Sequence, residues 1–128
     1  ELVARSAAKG NALWRQEVSG KLLGIASDEK RFFVLSEDGN QKTLTAYSAT
    51  QGDELWDVQT SASIGSPLAA RGFVFVPYDS QWLVVLGGDT GDFLARYRSA
   101  DSEINFGAET VEGVFAGGPR GLYLLAGR

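Results

Sequence analysis

The chain repeats itself with a period near 40 residues. Leu2 to Trp14 reads LVARSAAKGNALW and Leu44 to Trp56 reads LTAYSATQGDELW, with Leu, Ala, Ser, Ala, Gly, Leu and Trp recurring at a constant offset of 42. Leu83 to Ala95 reads LVVLGGDTGDFLA, at an offset of 39 from the second copy; it keeps Leu, Gly, Asp and Leu, and Ala95 stands where the Trp belongs. A fourth copy opens at Leu122 with LYLLAGR and is truncated at residue 128. Periods of this length mark arrays in which each unit buries its apolar face only against its neighbours. The chain therefore reads as one repeat array over 1–128, with periods of about 2–43, 44–82 and 83–121.

The residue inventory removes several kinds of chemistry. Cys, His and Met are all absent. Without His there is no Ser-His-Asp triad, imidazole zinc site or His-ligated haem, and without Cys no thiolate site or disulfide. Twelve basic and 16 acidic side chains leave a net charge of −4, and no Lys/Arg cluster forms the positive stripe that nucleic acid requires. The longest apolar runs, Phe73 to Val76 and Leu83 to Leu86, are far too short to span a membrane. The expectation is a soluble piece, a processed protein or an excised segment, from which any export signal has been removed.

Strand signals dominate. Runs of β-branched and aromatic residues alternate with Gly, Asp, Asn, Ser and Pro, and no stretch holds a helical period. Strands are expected near 2–7, 12–18, 22–27, 31–36, 43–48, 54–59, 64–70, 72–78, 82–87, 93–98, 104–110, 113–117 and 121–126. Phe32 to Leu35, and Phe73 to Val76 with Leu83 to Leu86, are apolar on both strand faces and need cover on both. Around Leu55 and Val58, and around Tyr97, charged residues alternate with apolar ones, which suits wetter outer strands. Four-stranded sheets stacked side by side, the blades of a β-propeller, meet both conditions. Glu37-Asp38-Gly39-Asn40 and Gly117-Gly118-Pro119-Arg120-Gly121 are expected hairpin turns.

The unit Ala46-x-Ser48-x-x-Gln51-Gly52-x-x-x-Trp56, followed by Ser66-Pro67 and then Gly72-Phe73-Val74-Phe75-Val76, resembles the repeat of the PQQ-like (quinoprotein-type) β-propellers. The first unit matches through Ala4, Ser6, Gly10 and Trp14, with Lys9 in place of Thr. The third keeps Thr90 and Gly91 but has Val85, Gly87 and Ala95 at the Ala, Asp and Trp positions. The resemblance implies an all-β partial propeller of about three four-stranded antiparallel blades. It implies blade-docking roles for Gly10, Trp14, Gly52, Trp56 and Gly91, the glycines making a tight turn and the indoles filling the gap to the next blade.

Other constellations read as scaffold. Glu37 to Asn40 lacks the alternating oxygen ligands and closing Glu of a calcium loop. Gly87-Gly88-Asp89-Thr90-Gly91-Asp92 carries two carboxylates and no Lys, so it would repel phosphate. Asp53 with Glu54, and Asp101 with Glu103, read as solvated edges rather than facing glycosidase acids. Tyr78 and Trp82, flanking Asp79-Ser80-Gln81, are candidate partner-binding aromatics.

With no reactive constellation visible, the resemblance implies a non-catalytic scaffold for protein partners in the bacterial periplasm or cell envelope, similar in kind to the propeller lipoprotein of the outer-membrane β-barrel assembly machinery. No cofactor is expected. The alternative is a fragment of a quinoprotein dehydrogenase, with PQQ and calcium on the axis; the adjacent-Cys pair and haem motif of many such enzymes are missing. A WD-type propeller rests only on Trp56-Asp57 and lacks the Gly-His signal. Closed propellers typically have 4 to 8 blades, so the array is expected to meet further blades of a parent chain, or to close as a homo-oligomer.

Overall fold

The computed structural model describes residues 2–98 and, beyond them, the strand backbones at 106–110, 113–118 and 121–126. Thirteen strands follow one another: β1 (Leu2–Arg5), β2 (Ala12–Gln16), β3 (Lys21–Ser27), β4 (Arg31–Asp38), β5 (Gln41–Ser48), β6 (Glu54–Thr60), β7 (Leu68–Ala70), β8 (Phe73–Tyr78), β9 (Trp82–Gly87), β10 (Phe93–Arg98), β11 (Phe106–Thr110), β12 (Gly113–Gly118) and β13 (Gly121–Ala126). The described residues contain no helix, so none is long and apolar enough to cross a membrane. Asp101 and Glu103 lie outside the described residues, as do Pro119 and Arg120 of the expected final turn.

Every pairing within a sheet is antiparallel between chain neighbours. β3 to β6 form one four-stranded sheet and β7 to β10 another, flanked by the pair β1-β2 and the three-stranded β11-β12-β13. This is an all-β array of propeller blades. Turn chemistry sets the hairpins: Gly39 (φ 63°) joins β4 to β5, and Arg71-Gly72 (φ 56° and 84°) joins β7 to β8 in the doubly positive geometry that matches strand twist. β1 and β2 each end two residues before the expected 7 and 18, and the largest shortfall is in the strand expected at 64–70. β7 starts at Leu68 rather than near residue 64, because Pro67 has no N–H to give a ladder. Upstream only Ile64 bridges to Tyr78, and the Gly65 N–H donates to the Pro77 carbonyl at 2.9 Å.

Core formation follows the alternation of side chains along a strand. On β4, Phe32 and Val34 point toward the preceding sheet and pack with Trp14 and Tyr47. Phe33 and Leu35 point the other way, into a cluster with Leu44, Ala46, Val74, Val76 and Leu86 that joins the two four-stranded sheets. β8 repeats the arrangement: Phe75 turns from that cluster to meet Ala70, Leu83 and Val85 on the far face. Middle strands are thus apolar on both sides because each feeds two cores.

Candidate functional site

Two kinds of feature lie between the sheets, a clasp built from the repeat's signature residues and a cleft beside it. The clasp comes first along the chain. Trp14 on β2 reaches across to the β5–β6 turn of the next sheet, where its indole N–H donates to the Ala49 carbonyl at 3.0 Å. Its ring stacks on Phe32 at 4.9 Å and 5°, and Phe32 stacks on Tyr47 at 5.2 Å. Trp56 on β6 does the same one sheet later. Its N–H donates to the Gly88 carbonyl at 2.9 Å, and its ring tilts against Phe33 at 5.8 Å.

Gly52 and Gly91 each sit three residues beyond the carbonyl that accepts the indole. Both have φ of 76°, and each N–H donates back four residues, to Ser48 and Gly87 respectively, at 2.8 Å. A Cβ on Gly52 would stand 2.5 Å from the Trp14 ring, and one on Gly91 2.6 Å from the Trp56 ring. The glycines therefore serve two needs, a left-handed turn and a face bare enough for an indole. Gly10 has the same turn, with φ of 74°, and no atom within 4 Å of where its Cβ would be.

A cation adds a second link beside Trp56. Arg31, at the start of β4 and 8% exposed, donates to the Asp28 carboxylate at 2.8 Å and to Asp89 on the β9–β10 turn of the next sheet. Burial raises the Asp28 carboxyl, but hydrogen bonds from the Arg31 side chain and the Lys30 and Arg31 backbone N–H groups outweigh it, leaving the group below its ordinary value.

The clefts open alongside these clasps. Between the β2–β3 connection and the first four-stranded sheet lies a cavity of about 340 Å³ lined by polar and acidic groups, including Glu17, Thr43, Thr45, Glu54 and Asp57. Burial, then the Glu54 carboxylate and more weakly that of Asp57, raise the Tyr47 phenol that faces it. Between the two four-stranded sheets lies its counterpart, about 350 Å³, walled by Leu44, Val58, Val76, Val84 and Leu86, with Tyr78, Trp82, Phe93 and Arg96 around them.

Tyr78 and Trp82 face each other across the β8–β9 hairpin, whose turn holds Asp79 and Ser80 at φ of 50° and 65°. The structure thus brings both aromatics to one cleft. The Tyr78 hydroxyl lies 3.3 Å from that of Thr60. Sequence reasoning missed Arg96, whose guanidinium covers the Trp82 ring at 4.5 Å. Its signal was available in the repeat, where Arg96 stands at the position of Asp57.

Residues 1–124 match the PQQ-like repeat family model described as outer membrane protein assembly factor BamB. The chain belongs to this family. No curated protein matches the sequence. Among solved structures the chain is similar to BamB from Moraxella catarrhalis, with a TM-score of 0.72 and 20% identity over 91% of this chain and 37% of that one. It is also similar to the computationally designed Ika8 protein, with a TM-score of 0.73 and 16% identity over 90% of this chain and 36% of that one. The chain thus spans little more than a third of either structure, and at these identities the likeness carries the fold. BamB-type membership and the sheet array together make this a stretch of PQQ-like propeller.

Proposed function

We propose that this chain is part of a non-catalytic β-propeller that scaffolds protein partners in the bacterial cell envelope, in the manner the family description implies for outer-membrane protein assembly. One observation carries the reading. The residues that define the repeat, Trp14 and Trp56 with Gly52 and Gly91, are spent on joining sheet to sheet. They act as blade-docking residues, with Gly10 the equivalent position in the first unit. Loops and outer strands are left to meet partners, which are proteins or further blades of the parent chain rather than nucleic acid.

The dehydrogenase reading has less support. Among the described residues no three His, Cys, Asp or Glu side chains converge to hold a cation, and the sequence contains no Cys or His. No chemical step is assigned to them.

The test uses the full-length protein. A photo-crosslinking residue at the exposed outer-strand positions Leu55 and Leu94 is expected to trap outer-membrane assembly proteins in cells. PQQ and calcium added to the purified protein are expected to leave no cofactor absorbance after gel filtration and no dye-linked oxidation of alcohols or sugars. Retained chromophore with dye reduction would overturn the scaffold reading.

A further inference from the structure

The repeat supplies its own control for the cleft between the two four-stranded sheets. At the offset of 39 that aligns the second and third units, Thr43 corresponds to Trp82, Thr45 to Val84, Tyr47 to Leu86, Glu54 to Phe93 and Asp57 to Arg96. The ladders agree, because Ser36 pairs with Thr43 as Tyr78 pairs with Trp82. Equivalent positions therefore line both clefts, one in hydroxyls and carboxylates, the other in aliphatic and aromatic groups with a cation. The polar version folds in the same way. Leu44, Val76 and Leu86 belong to the core that joins the sheets, but an aromatic at position 82 or 93 is not a demand of the architecture, and the exposed Phe93 ring, 59% accessible, is not there to fill a core.

Charge and backbone say what would fill it. Arg96 and Arg98 lie on one face of β10, both against the Trp82 ring, at 4.5 and 5.7 Å. Among the described residues neither makes an ion pair with a carboxylate; Arg98 spends one donor on the Gln81 side-chain oxygen at 3.3 Å, and the Arg96 guanidinium is the one offered to an anion. β10 is also the edge of its sheet, hydrogen-bonded to β9 alone. An edge strand can take on an extended segment, whose side chains alternate between faces at a period of two.

We propose that this cleft is the docking site for an extended segment of a partner protein that carries a large apolar side chain and, two residues away on the same face, a carboxylate. The apolar group enters between Val58 and Val84, near Tyr78 and Trp82; the carboxylate meets Arg96, with Arg98 beside it; the segment's backbone lies along β10. This assignment rests on the scaffold reading and names the kind of partner it holds.

The experiment titrates full-length protein with an eight-residue peptide of alternating Thr and Val bearing Phe-Thr-Asp at its centre, following Trp fluorescence and calorimetry. Saturable one-to-one binding is expected. Arg96→Asp and Trp82→Thr, which install the residues of the other cleft and so suit the fold, are each expected to weaken binding about tenfold with unchanged melting temperature. A peptide with Lys in place of Asp is expected to fail on the unmodified protein and recover on Arg96→Asp, a reversal that a purely structural role for Arg96 would not produce. Absence of binding, equal binding of the Lys peptide, or unchanged affinity in Arg96→Asp overturns the assignment. Displacement of the peptide by decanoate at equal concentration would also overturn it, giving the cleft to a small amphipathic acid. Leu94 lies on β10 and would report this segment too, whereas Leu55 is on β6 and does not line this cleft, so crosslinks from Leu55 let the scaffold reading survive or fall separately.

Discussion

Replacing Gly52 with alanine separates the two needs that this position meets. The left-handed backbone, with φ of 76°, costs an L-residue about 1–2 kcal/mol wherever it occurs. At Gly52 the added methyl also lands 2.5 Å from Cδ2 and 2.6 Å from Cε3 of Trp14. The indole has little freedom to retreat, since its N–H is tied to the Ala49 carbonyl at 3.0 Å and its ring is stacked on Phe32. Overpacking of this kind adds about 1–3 kcal/mol, for a total of about 2–5 kcal/mol. Gly39 is the control, with φ of 63° and no atom within 4 Å of a Cβ. Gly39→Ala is expected to lose only the backbone portion, about 1–2 kcal/mol. Urea midpoints at matched slopes measure both in the full-length protein. Repeating Gly52→Ala in a Trp14→Ala background closes a cycle whose coupling term is expected to equal the steric portion, about 1–3 kcal/mol. Equal losses at the two glycines, or a coupling near zero, would refute the argument that the indole dictates the glycine.

Two further outcomes follow from the clasp and the ion pair. Trp56→Ala, at a partly buried indole, is expected to lose about 3 kcal/mol by denaturant titration, the low end of the range for truncating a core aromatic, and a loss below about 1 kcal/mol would mean the indole does not hold the next sheet. The Asp28 carboxyl is depressed in the folded state from 3.8, so its contribution is present above that value and is lost as pH falls through the folded one. Unfolding midpoints are therefore expected to fall more steeply in acid for the unmodified protein than for Asp28→Asn.

The architecture was legible because local and long-range signals agree. Strand runs, Gly-containing turns and a 40-residue recurrence all demand stacked sheets, and Phe32 to Leu35 announces cover on both faces. The strand expected from residue 64 begins late, just after Pro67, where a missing donor overrides the signal of Ile64 upstream. Pairings across the stack were another matter. The sequence names Trp14 and Gly52, yet only the fold reveals that the indole of one unit meets the glycine of the following unit rather than its own Gly10. Arg31 was hidden for the same reason, since Asp89 is 58 residues away and joins it only through the packing of two sheets. Tyr78 and Trp82 could be singled out as aromatics beside a loop. That Arg96 joins them emerges only when strand register converts the repeat offset into a map of equivalent cavity walls.

The indole clasp gives the array a direction. Trp14 on β2 and Trp56 on β6 each reach forward to the succeeding unit, so damage to one tryptophan loosens the junction downstream of it and leaves the upstream junction intact. At β10 the reaching residue is Ala95, too short for that span. The seam after β10 therefore lacks the indole fastening that Trp14 and Trp56 give the junctions before it.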